Sequence, residues 1–230
     1  MKIGALVLAA GQSKRFGGDK RQATLPNGKL VIQQTLEKVT SVFDEVLVVL
    51  RAEDAGLHKK LLNLFPDLKY HHAPDSGLGM GHSLASGIRQ IEGWDGVFVF
   101  LADMPFVETE TLIKLRDSSA SVGMRNSPSS RPVDSPPSSR PVDSPPSSRP
   151  SEASGETSWI IIPTHQSKPG HPVGFSFEFF DELRQLTGDQ GAKSIISSHK
   201  LKTVTMAVGD DGVLLDVDTP DSLNQKALDF

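Results

Sequence analysis

Three short segments carry residue types that can bind phosphate and a divalent cation. The first is Leu8–Lys20, LAAGQSKRFGGDK. Its small residues let backbone N–H groups approach an anion, and Arg15 and Lys20 supply positive charge. It is not a Walker A loop, because Lys20 is followed by Arg21 rather than Ser or Thr, and it lacks the GxGxxG of dinucleotide folds. The second is Leu101–Pro105, LADMP. A carboxylate just past a buried strand, here Asp103, can hold a metal at a sheet edge. The third is Leu215–Pro220, LDVDTP. Strand alternation would put Asp216 and Asp218 on one face, where one of them could join Asp103. Taken singly, each segment has a plainer reading. These are a Gly-rich turn with solvated cations, a carboxylate capping the turn before Pro105, and an Asp that opens the last helix.

The elements that must position these residues are legible as apolar runs. Lys2–Leu8, Glu45–Leu50, Leu68–Ala73 and Gly96–Leu101 read as strands. Leu30–Phe43, Asp54–Phe65, His82–Ile91 and Glu108–Arg116 read as helices. Continuous apolar strands alternating with helices predict a three-layer α/β nucleotide-binding fold, a mostly parallel sheet with helices on both faces. Ligands in such sheets bind at the carboxyl ends of strands, so the loops after residues 8, 73 and 101 are where chemistry belongs. The loop after 73, Asp75–Ser83, places Gly77, Gly79 and Gly81 within five residues, which allows close approach to a base or ribose. Further on, Trp159–Pro163, Lys202–Val208 and Val213–Val217 read as strands. Phe177–Leu186, Gly191–Ser198 and Pro220–Leu228 read as helices. His71 and His72 read as edge surface.

Composition excludes several functions. The 230 residues include no Cys, which rules out disulfides, thiolate catalysis and Cys-based metal sites. A net charge of −4 without a basic block argues against a duplex-binding surface. The early apolar run Ile3–Ala10 is too short to cross a bilayer, and a cytoplasmic location is expected. One stretch is unlike the rest. Ser127–Ser158 holds 12 Ser and 8 of the chain's 16 Pro, built on a nine-residue repeat, Ser129–Pro137 and Ser138–Pro146. Such a segment cannot bury enough apolar surface to offset its ordering entropy. It reads as a disordered insertion, about 118–157, in one domain spanning 1–230. Deleting Ser129–Pro146 is expected to leave melting temperature and activity nearly unchanged. A large fall in melting temperature would show that the repeats contribute core.

Together and in this order, the three segments resemble the MobA-like nucleotidyltransferase family, and within it the molybdenum cofactor cytidylyltransferases. Gly170-His171-Pro172-Val173 is similar to a further motif of that branch, and Gly188–Ala192 to a segment before a substrate-closing helix. The resemblance covers the chain outside about 118–157, where relatives have a short loop. It implies transfer of CMP from CTP to a phosphorylated, molybdopterin-type pterin cofactor, with pyrophosphate leaving. Leu8, Ala9, Ala10, Gly11, Ser13, Arg15 and Lys20 would bind the nucleotide, with Gly79, Gly81 and Ser83. Lys20, Arg15 and Asp103 would be catalytic. Asp103 and Asp218 would hold Mg²⁺. Gly170 and His171 would meet the second substrate. Ala10, where guanylyltransferase relatives have a second Gly, favours CTP. A phosphate nucleophile is already ionised, so catalysis would be positioning and charge neutralisation. A molybdoenzyme is the implied recipient of product; no nucleic acid or membrane is implied. The alternatives are a GTP-using or other NTP transferase with a different phosphorylated acceptor, and a non-catalytic cofactor-binding accessory protein.

Overall fold

The computed structural model describes residues 1–13, 16–124 and 158–224. Among the described residues, eight strands form one sheet: β1 (Ile3–Leu8), β2 (Val46–Arg51), β3 (Lys69–Ala73), β4 (Gly96–Leu101), β5 (Ile160–His165), β6 (Lys168–Pro169), β7 (Val173–Ser176) and β8 (Thr203–Ala207). Their order is β3-β2-β1-β4-β7-β5-β6, with β8 also on β5. The first four strands pair in parallel, as their apolar runs require. The second half is mixed. β7 lies antiparallel to both β4 and β5, while β8 is parallel to β5. The reversal begins at Gln166 and Ser167, whose φ of 48° and 65° suit a tight two-residue hairpin turn.

The described residues include the α-helices that cover the sheet: α1 (Val31–Thr40), α2 (Ala55–Leu64), α3 (Met80–Ile88), α4 (Thr109–Met124), α5 (Phe180–Arg184) and α6 (Lys193–Ser198). Alternation along β1 sends Ala5 and Val7 to one core and Leu6 and Leu8 to the other. The first core takes Ile32 and Leu36 of α1, Leu61 of α2 and Leu115 of α4. The second takes Leu84 and Ile88 of α3 and Leu183 of α5. Each fully buried side chain of this kind contributes about 1.5–3 kcal/mol. Two buried layers explain why the central strands are apolar throughout.

Three expectations change. Helix α4 continues past Arg116 to Met124. Ser118 and Ser121 donate their hydroxyls to the carbonyls four residues back, 2.8 and 3.1 Å away, and Ser119 to Arg116, so these serines serve the helix instead of ending it. The repeat itself, like all of 125–157, lies outside the described residues, as do 225–228 of the expected closing helix. Second, Val213–Val217 is not a strand. Asp211–Leu214 forms a 3-10 turn, because the buried Asp210 carboxylate accepts the N–H groups of Gly212 and Glu108, each at 2.8 Å. Third, His71 and His72 stand on the edge strand β3 but are engaged. His71 Nε2 meets the Ser86 hydroxyl at 2.7 Å. His72 Nδ1 donates to the Arg51 carbonyl at 2.8 Å, and its Nε2 meets His58 Nδ1 at 2.9 Å.

Candidate active site

The carboxyl ends of β1 and β4 adjoin, with Ala102 donating its N–H to the Leu8 carbonyl at 3.0 Å. A cavity of about 410 Å³ opens there. The β1 loop supplies Leu8, Ala9, Ala10, Gly11 and Ser13, together with Gln12. Lys20 and Asp103 line it, as do Gly79 and Ser83 from the Gly-rich loop and Asp218. Ser13 has a φ of 51°, and its hydroxyl is buried with no hydrogen-bond partner among the described residues. An orphaned donor in the wall is a place for a ligand oxygen. Arg15 lies outside the described residues.

Three of the expected residues are placed otherwise. Gly81 does not line the cavity. A Cβ there would stand 2.5 Å from the Thr187 carbonyl oxygen, so this glycine lets two loops touch. Gly170 has the same role against the Val213 carbonyl, 2.3 Å from a built Cβ. His171 also stands outside the cavity wall. Burial pulls its imidazole below the usual histidine range, although the Asp103 charge and a hydrogen bond to the Val99 backbone oppose this. Its Nδ1 is buried without a hydrogen-bond partner among the described residues.

Lys20 sits at the centre of the charged side. Its ammonium pairs with Asp103 and, at 2.6 Å, with Asp218. Burial alone would ease its deprotonation, but the two carboxylates outweigh that and raise its pKa. Asp218 arrives beside Asp103 because the Val217 N–H donates to the Asp103 carbonyl at 2.8 Å. Asp216 completes the group: Asp103, Asp216 and Asp218 each offer an oxygen, all within 4.8 Å of one another. Partial desolvation, then repulsion from Asp218 and Asp103, raises the Asp216 pKa. Three carboxylate oxygens at this spacing are a donor set for a hard divalent cation.

Beneath the β1 loop lies a buried ion cluster that sequence reading missed. Asp19 caps the 3-10 turn Lys20–Gln22, and Arg21 turns inward to 2% exposure. Its guanidinium bonds Asp54 at 2.8 Å and Asp19 at 2.7 Å and also reaches the Ala9 carbonyl. Arg51 bonds Asp54 from the other side at 2.9 Å. Burial raises the Asp54 pKa, but Arg21 and Arg51 reverse this and hold it at about 2, against 3.8 for a free side chain. A depressed carboxylate stabilises the fold fully above its unfolded pKa and loses that contribution as pH falls through the folded one. Stability is therefore expected to drop by roughly 2 kcal/mol between about pH 4 and pH 2 through Asp54. Denaturant melts across that range test it. An Asp54→Asn variant with the same acid slope would assign the loss elsewhere.

The wall also holds Ser76, Leu78 and Asp189, which sequence reading did not select. Ser76 and Leu78 stand inside the Gly-rich stretch. Asp189 lies in the Gly188–Ala192 segment noted above, but its place in this wall, from a turn more than a hundred residues away, is decided by the fold.

A parallel α/β sheet with this loop, lysine and carboxylate group at its strand ends defines a nucleotide-binding α/β protein. The family model of the MobA-like NTP transferase domain matches residues 5–204, and the chain belongs to that family. The purine catabolism protein PucB of Bacillus subtilis is 28% identical over 228 residues, covering 93% of this chain and 90% of PucB. A probable molybdenum cofactor guanylyltransferase of Natranaerobius thermophilus is 30% identical over 110 residues. That match covers 48% of this chain and only 51% of the relative. The Rv0371C protein of Mycobacterium tuberculosis, solved in complex with manganese, shares the fold with a TM-score of 0.70. It is 22% identical, over 98% of this chain and 97% of that one. Among the described residues, no helix is long and apolar enough to cross a membrane.

Proposed function

We propose that this NTP transferase moves CMP from CTP to a phosphorylated, molybdopterin-type pterin, releasing pyrophosphate. The observation that carries the reading is the shared cavity wall of the β1 loop, Lys20, Asp103 and Asp218. Backbone N–H groups of Ala10–Ser13 and the Ser13 hydroxyl would hold the triphosphate, and the Arg15 charge would add to their pull. Lys20 would neutralise charge on the α-phosphate and the leaving pyrophosphate. Asp103 and Asp218, with Asp216, would hold Mg²⁺, which supplies charge neutralisation on phosphate oxygens. Ala10 is buried in the cavity wall, and the choice of CTP rests on its standing where guanylyltransferase relatives have a second Gly. His171, with Gly170 before it, would serve the second-substrate side, where its Nδ1, without a hydrogen-bond partner among the described residues, would meet the acceptor once the site takes it in. The product would pass to a molybdoenzyme. Mg²⁺ as the cation and a cytoplasmic setting belong to the same reading.

GTP is the second donor to test, because a matched relative is named a guanylyltransferase. Thermal shift with CTP, GTP, ATP and UTP in Mg²⁺ ranks the donors, since a ligand that binds only the folded state raises stability with affinity. CTP is expected to give the largest shift, and Mg²⁺-dependent pyrophosphate release with the pterin acceptor should follow. A larger shift with GTP would overturn the CTP assignment. No shift with any nucleotide would remove the transferase reading.

A further inference from the structure

We propose that Asp189 reads the nucleobase, accepting a hydrogen bond from an exocyclic amino group. This rests on the nucleotide reading above and specifies what its site selects. Asp189 lines the cavity, and among the described residues its carboxylate has no hydrogen bond or ion pair. It stands on Gly79, where a built Cβ would come 2.4 Å from its Oδ1. Gly79 has a φ of 120° and no side chain, so both its backbone conformation and its bareness make room for the carboxylate.

The turn that carries Asp189 is held in place. Gly81 donates its N–H to the Gly188 carbonyl at 2.7 Å, and Gly188 donates its N–H to His82 Nδ1 at 3.1 Å. This reciprocal pair clamps the turn to the start of α3, which makes His82 a positioning residue. Beside the carboxylate, Leu78 and Met80 line the cavity while 62% and 44% exposed. Exposed apolar side chains next to a lone acceptor suit a flat heteroaromatic ring with a donor edge. A carboxylate is unsuited to phosphate, which it repels. It accepts from the amino group of cytosine or guanine, whereas uracil presents an oxo acceptor in place of that amino group and hypoxanthine only a C–H.

The test is titration calorimetry on the full chain in Mg²⁺, with CTP against UTP and GTP against ITP. The intact protein is expected to bind the better amino-bearing nucleotide at least about 10-fold tighter than its counterpart lacking the amino group, as a charged hydrogen bond requires. Asp189→Asn should bring that ratio close to one. Asp189 is exposed, so an unchanged melting temperature checks the fold of this variant. His82→Phe should lower the ratio as well. His82→Asn, whose Oδ1 can still accept the Gly188 N–H, should keep it. If the intact protein binds nucleotide and Asp189→Asn keeps the full ratio, the Asp189 assignment is overturned and the transferase reading stands. If the intact protein binds no nucleotide, both fall.

Discussion

Asp103→Asn is expected to abolish nucleotidyl transfer and leave the fold intact. The side chain is partly buried beside Lys20, and its carboxylate is one of three whose oxygens lie within 4.8 Å. Asn keeps the shape but removes the charge. Two effects then add: the cation loses a ligand, and Lys20 loses a partner. Losses from a single preorganised electrostatic group run to about 10²–10³-fold in kcat, and that is the expected size here. The fold should survive because Lys20 keeps its 2.6 Å contact with Asp218. Pyrophosphate release and a melting curve on the same sample make the check. Activity near that of the intact protein would take Asp103 out of the metal site.

Arg21→Met should give the largest loss of stability. The guanidinium is nearly fully buried and serves Asp19, Asp54 and the Ala9 carbonyl at once. Methionine fills similar space but strands Asp54, whose side chain is 6% exposed, with Arg51 as its remaining partner. Removing one partner of a buried ion pair costs about 3–5 kcal/mol, mostly from the uncompensated charge left behind. Denaturant unfolding measures it, and a loss below about 1 kcal/mol would contradict this account. Because Arg21 also ties down Ala9, nucleotide binding should weaken in the same variant.

These two residues differ in how visible they are. Asp103 stands out in the sequence because an apolar strand ends just before it, so its place at a sheet edge follows from local pattern. Arg21 looks like one more solvated cation after a Gly-rich loop. Its inward turn depends on Asp54, thirty-three positions away, being delivered to the same spot by β2. Asp216 and Asp218 are an intermediate case. Their nearness to Asp103 was anticipated from a strand that does not form. The contact exists because Asp210 bends the chain and Val217 bonds to the Asp103 carbonyl.

The chain's own pattern was enough for the parallel half of the sheet, the two-faced core, the β1 loop, and Lys20 and Asp103 as its charged companions. These follow from short-range periodicity and from strand ends, where backbone geometry dictates which loops meet. Tertiary structure alone decided the mixed second half of the sheet. It also decided that Gly81 and Gly170 serve loop contacts, and that Asp189 stands on Gly79. Each of these depends on segments distant in sequence meeting backbone to backbone, within a few ångströms. No local propensity encodes such a meeting, and one built Cβ would forbid it.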